Sequence, residues 1–332
     1  MRRYALMGLM FVVSAGLWMH SYAERGDVPY DTDTVVLRVE KKSVTVSDAM
    51  IYLMKSKQDV EDKWGSKIWK AQTGTDDAGN PITYESNRKD DVQKEMIMTE
   101  TLSQVASKQG IKLSKKEKKK CKQMAREEMR RLNSEDLITY GITTEKMVSY
   151  YEDQALADKV KQEILKNFEA EYEVADVKKM RIYEMLFPIY EENSDGIKEL
   201  VSEQKQESQE EKAQEAKQEV EKGTSIEKVS KEYHLEYSGE TIISESEVSA
   251  EENKAIEDLD DGEVSEVIKT NQGYLVVQML DKSDKKETKK AEEKEKKEQE
   301  EQEIVRYYKK HYQKDYSIKL QKEIWDQLPL AS

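Results

Sequence analysis

The stretch Asp261-Gly262-Glu263-Val264-Ser265-Glu266-Val267-Ile268-Lys269-Thr270-Asn271-Gln272-Gly273-Tyr274-Leu275-Val276-Val277 decides how the chain is read. Asp260-Asp261-Gly262 is a turn signal that leads into a short extended piece from Val264 to Ile268. Thr270-Asn271-Gln272-Gly273 is a hairpin turn into the strand Tyr274 to Leu280. Upstream, Ser249 caps a short acidic helix to Leu259, and Thr224 caps another from Ile226 to Tyr233. The charged run from Glu191 to Lys222 is helical by composition. From Met180, Ile182, Glu184 and Leu186 alternate with Tyr183, Met185 and Phe187. Both sets are largely apolar, which suits a central strand covered on both faces. The order strand, helices, strand, helix, hairpin predicts a middle domain at 179–282 with a four-stranded antiparallel sheet.

The flanks read differently. Thr34 to Val39 and Ser43 to Val46 are short extended pieces joined by Glu40-Lys41-Lys42, and Ser47 caps a helix carrying Met50, Ile51, Leu53 and Met54. Val92, Met96, Thr99, Leu102, Val105 and Ala106 recur at helical spacing until Gly110, and Ser114-Lys115-Lys116-Glu117 is a capping box. The Lys-rich start of that helix reads as a solvated face. Met147, Tyr151, Leu156, Val160, Ile164 and Phe168 mark another long helix. Asp284 to Glu303 is a Lys/Glu tract, with Glu292 to Lys296 and Glu293 to Lys297 at supportive spacing. Tyr316, Ile318 and Leu320 alternate as a strand. A lone strand does not persist in water, so its economical partner is Val35 to Val39. The expected fold class is α+β: a helical lobe from 33–178 and 283–332, shared by both ends, around the inserted domain.

Composition narrows the chemistry. The chain has 36% apolar and 37% charged residues, below the apolar share of about 45% usual for one large core. Its net charge of −14 disfavours nucleic acid as a partner. Arg2 and Arg3 precede an apolar stretch from Ala5 to Met19, and Ser21-Tyr22-Ala23 follows, so residues 1–23 are expected to be a signal peptide or a membrane anchor. Cys121, the only cysteine, shares a helical face with Met124, Ala125, Met129 and Leu132, which favours a buried apolar role. Beyond that segment only His234 and His311 occur, too few for a His/Cys zinc site or a Ser/His/acid triad, so no metal and no cofactor is expected. His234 reads as a surface or helix-end residue.

Asp261 to Val277 resembles the C-terminal half of the parvulin (rotamase) domain, whose members carry Pro-Gly-Glu-Ile-Ser-Glu-Pro-Val-Lys-Thr, then Gly-Tyr-His and an apolar strand. Val220 to Tyr233 is similar to the family's Lys-Lys-Gly-Ala-Asp-Phe-Ala-Glu-Leu-Ala-Lys-Glu-Tyr helices. Tyr140 to Glu145, Leu156 to Val160 and the opening Val35 to Leu53 resemble exported foldase chaperones of the PrsA/SurA type. The resemblance implies peptidyl-prolyl cis-trans isomerase chemistry in an apolar pocket lined by two histidines, an acidic or Cys residue, and Met and Phe walls. On that alignment the histidine positions hold Glu184 and Leu275, Glu240 is the acidic equivalent, and the walls fall near Val248 and Glu252, beside Met185 and Tyr274.

The expectation is therefore an extracytoplasmic folding factor, sited at the outer face of the membrane, in the wall space or in the periplasm. It binds unfolded exported polypeptides through a degenerate parvulin-like domain, touches the membrane if the first segment stays uncleaved, and is a candidate homodimer. An active isomerase is the alternative, and a surface scaffold or assembly factor the next. Met50, Met54, Met96, Met98, Met124 and Met129 offer adaptable client contact or simply core filling.

Overall fold

A computed structural model of the protein describes residues 30–76, 78–192, 198–235 and 238–330. The signal or anchor expected at residues 1–23 lies outside the described residues. The chain divides into two compact units: the described residues up to Phe168 with those from Gln302 onward, and Glu169–Glu301.

In the first unit β1 (Val35–Val39) turns through Glu40, at φ 55°, into β2 (Lys42–Thr45), and α1 (Val46–Trp64) follows directly. Thr45, not Ser47, caps α1. Its hydroxyl accepts from the Asp48 amide and the Asp48 carboxylate accepts from the Thr45 amide. Ser47, the second residue of the helix, is buried and donates to the Gly141 carbonyl at 3.0 Å. A hairpin of β3 (Gln72–Thr75) and β4 (Pro81–Thr83) leads to α2 (Tyr84–Lys108), then α3 (Lys115–Arg131), α4 (Ser134–Thr139) and α5 (Thr144–Leu165). Ser114 and Glu117 form the expected capping box of α3. Met50, Met54 and Met96 are buried in the core, so they fill it instead of facing clients, while Met124 is exposed. Cys121 is buried, and its thiol donates to the Tyr151 carbonyl.

Charges are buried in this unit too. The Lys42 ammonium lies 2.5 Å from both Glu100 and Asp153, and the Tyr52 hydroxyl donates to Glu100 at 3.0 Å. Burial holds the Glu100 carboxyl above its usual range against the pull of Lys42. A second set joins Glu128 to Lys55 at 3.1 Å and to the Tyr151 hydroxyl at 2.9 Å.

The second unit begins with a single turn, α6 (Val174–Val177), and β5 (Met180–Pro188). The charged run expected to be helical opens instead with paired strands β6 (Tyr190–Glu192) and β7 (Lys198–Leu200), and only then enters α7 (Glu203–Glu221). Ser225, not Thr224, precedes α8 (Ile226–Glu232), and His234, at φ 53°, closes that helix in the left-handed region. Then come β8 (Gly239–Ile243), α9 (Ala250–Ile256), β9 (Ile268–Lys269) and β10 (Gly273–Asp281). The helix capped by Ser249 thus stops short of Leu259, and the extended piece from Val264 keeps one bridge, to Gln278, before β9. The sheet is antiparallel in the order β8-β5-β10-β9. At the hairpin, Gly273 has φ 153°, and a Cβ there would collide with the Phe187 carbonyl.

The Lys/Glu tract is α10 (Lys285–His311). Its i,i+4 ion pairs run Lys before Glu, as Lys289 with Glu293 and Lys297 with Glu301, the reverse of the polarity the sequence suggests. From Gln302 on, the chain belongs to the first unit again. There β11 (Ile318–Leu320) pairs antiparallel with β1, Leu37 opposite Leu320 and Val39 opposite Ile318, giving the sheet β11-β1-β2. α11 (Lys322–Gln327) follows and sinks Trp325 to 1% exposure, and Lys89 donates to the Asp326 and Leu328 carbonyls. Trp325→Ala should destabilise the first unit by about 3–5 kcal/mol through lost transfer energy and the cavity left behind, read as a lowered urea midpoint.

Candidate functional site

Residues directly opposite each other in an antiparallel pair share a face of the sheet. β5 therefore sorts the candidate residues without ambiguity. Met180, Ile182, Glu184 and Leu186 point to one side; Arg181, Tyr183, Met185 and Phe187 point to the other. Glu184 lies opposite Val277, and Leu186 opposite Leu275, so Glu184 and Leu275 are diagonal neighbours on one face. That face packs on α9 and the turn before it. Ile256, Ile268, Leu275 and Val277 are its buried floor, with Leu186, Val248 and Leu259 half-buried around them.

Met185 and Tyr274 are on the opposite face. Both are buried in the cluster with Ala213, Ala216 and Val220 of α7 and Ile226 and Val229 of α8, so they are core to the domain and not walls of the same cleft. Glu240 is also on that side. It lies opposite Tyr183 and is ion-paired to Arg181, whose guanidinium also donates to Asp284 at 3.0 Å. The structure thus brings Glu184, Leu275, Val248 and Glu252 together and leaves Glu240, Met185 and Tyr274 apart. Leu186 joins the first set without having been singled out in the sequence. Its signal was the two-residue strand period from Glu184.

Electrostatics mark Glu184 as the unusual member. Burial pushes its carboxyl above the ordinary range, and the Glu252 carboxylate adds to the shift. Glu252 is committed locally: one of its oxygens accepts from the Ser249 amide at 2.8 Å, completing the capping box of α9. Next to it, the side-chain amide oxygen Oδ1 of Asn253 is buried without a hydrogen-bond partner among the described residues. Chemically, the face is an apolar shelf with a half-buried carboxyl at its edge. It offers no imidazole and no nucleophile, and among the described residues no cluster of His, Cys, Asp and Glu could hold a metal ion.

Residues 189–296 match the family model of the PPIC-type PPIASE domain. The matched span begins immediately after β5, which enters the same sheet through its register with β8 and β10. No curated protein matches the chain. Among solved structures it is similar to the foldase protein PrsA of Lactococcus lactis, at 15% identity over 89% of this chain and 98% of that one, with a TM-score of 0.32. It is similar to the peptidylprolyl isomerase PrsA of Bacillus cereus at 18% identity, covering 78% and 91%, with a TM-score of 0.31. A SurA-like chaperone of Campylobacter jejuni matches at 10% identity, covering 86% and 98%, with a TM-score of 0.26.

A carboxyl whose pKa is raised by folding favours the native state when protonated and loses that contribution as pH rises. Glu184→Gln should leave stability unchanged near pH 4 and raise it by roughly 0.5–1 kcal/mol at pH 7. Urea titrations of both proteins at the two pH values check this, and an equal difference at both would contradict it.

Proposed function

We propose that this chain, whose residues 189–296 match the PPIC-type PPIASE domain, is an exported folding factor that binds non-native polypeptides and is a poor prolyl isomerase. The observation that carries the reading is the face holding Glu184 and Leu275. An isomerase must lower an amide rotation barrier of ~20 kcal/mol by surrounding the twisted imide with a dry, preorganised apolar pocket. Here the two positions at which the resemblance expects histidines hold a half-buried carboxyl and a leucine. A charged Glu184 opposes burial of a proline ring. Glu240, held by Arg181 on the other face, does not reach that ring's place.

Binding needs less. Leu186 and Val248 present apolar surface to an extended segment, and β8 is an edge strand with no strand paired to its outer side among the described residues, a place for strand addition. Compartment follows from residues 1–23: basic, then apolar from Ala5 to Met19, a segment that sends the chain across a membrane and, if uncleaved, holds it there. Clients would be unfolded proteins on the same route.

The active-isomerase reading draws on one observation, the raised Glu184 pKa, because a neutral carboxyl can donate a hydrogen bond to the twisted imide. One pair of assays separates the two. Tetrapeptide isomerisation should run near the uncatalysed rate for wild type and for Glu184→Gln, while wild type suppresses aggregation of a denatured test protein. Strong wild-type turnover abolished by Glu184→Gln would establish the enzyme instead.

A further inference from the structure

The helix α3 carries a stripe of one sign. Lys115, Lys119, Lys122, Arg126 and Arg130 recur at spacings of three and four, so they lie on one side of the helix. All five are exposed. Cys121, Ala125 and Glu128 form the buried line on the opposite side. Over that length the stripe runs about 22 Å. None of the five has a carboxylate within ion-pair distance among the described residues. Of the three acidic residues of α3, Glu117 turns to Lys159 at 2.7 Å and Glu128 to Lys55, while Glu127 is exposed off the line of the stripe and accepts from the Gln123 side-chain amide at 2.8 Å.

Four lysines of α10 are arranged differently. On α10, Lys289, Lys294, Lys296 and Lys297 each have a glutamate four residues on. Like charges at i,i+4, such as Lys115 with Lys119 and Lys122 with Arg126, oppose helix formation. In a protein of net charge −14 the stripe is a local inversion of the surface field. A shallow groove of about 860 Å³ adjoins it, lined by Lys119 of the stripe and by Ser114, Lys116, Lys120, Gln123 and Lys159, with Glu117 as its one carboxylate.

We propose that this face of α3 docks on a bilayer surface bearing anionic phosphate head groups. A straight, single-sign row with no carboxylate in it matches a planar array of negative charges, and each lysine near such a surface adds attraction that salt screens within a Debye length. The choice of a bilayer rests on the proposed function and on the uncleaved alternative for residues 1–23, in which that segment keeps the chain at a membrane. That segment supplies proximity and the stripe supplies lipid selectivity. The solvated face expected from the sequence becomes, in this reading, a contact face.

The test is partition of the full chain onto neutral phosphatidylcholine vesicles and onto vesicles with about a third phosphatidylglycerol, at 0.1 M and 0.5 M salt. Wild type should favour the anionic vesicles at low salt and lose the preference at high salt. Replacing Lys115, Lys119 and Lys122 together by Gln should cut that preference by about 100-fold. The same three-charge change at Lys289, Lys294 and Lys297 of α10 should not, and both variants should melt as wild type does. Equal partition onto the two vesicle types, or equal loss in the two variants, overturns the proposal. Absence of binding to neutral vesicles with the anionic preference intact would instead count against the anchoring segment and uphold the stripe.

Discussion

The register of β5 is the constraint on which the site depends. β5 is paired on both edges, to β8 and to β10, and both of its faces are covered. Because side chains alternate strictly, a slip of one residue would send Met185 and Phe187 to the α9 side and Glu184 into the cluster under α7 and α8. Such a slip would bury a carboxyl among alanines and valines, at a cost the domain cannot absorb. The close approach of Gly273 to the Phe187 carbonyl pins the same register from the hairpin end.

That register explains why a list of pocket positions split in two. Glu184 and Met185, like Tyr274 and Leu275, are adjacent in sequence, and neighbours along a strand face opposite ways. What remains on the α9 side is a shelf whose one polar element is held partly out of water. The capping role of Glu252 matters here, since its bond to the Ser249 amide holds the carboxylate at the helix start, where its charge adds to the effect of burial on Glu184.

Much of the architecture was legible in the sequence because its signals are local. The Ser114 box, the Ser249 cap and the Thr270 to Gly273 turn each depend on residues within four positions of one another. The apolar alternation of β5 announced a doubly covered strand. Less legible were features decided by tertiary competition. Thr45 caps α1 because Asp48 sits three residues on, while Ser47 is drawn inward by Gly141, 94 residues away. The β6-β7 pair lies in a charged run whose composition favours helix, and its exposed strands leave no periodic mark. The face to which Glu240 belongs followed only from strand pairing that no single segment encodes.

The pairing of β1 with β11 has a consequence for how the protein is made. The first unit's central strand has its final partner at the other end of the chain, beyond the whole second unit. At ~5–20 residues per second, β1 waits roughly a quarter of a minute to a minute after its own synthesis before β11 exists. Loop-closure entropy grows only slowly with length, so the penalty for the long detour is small in free energy and large in time. Until then one edge of β1 is open and the seat of Trp325 is empty, which keeps a nascent chain from locking its first lobe before it has been completely delivered.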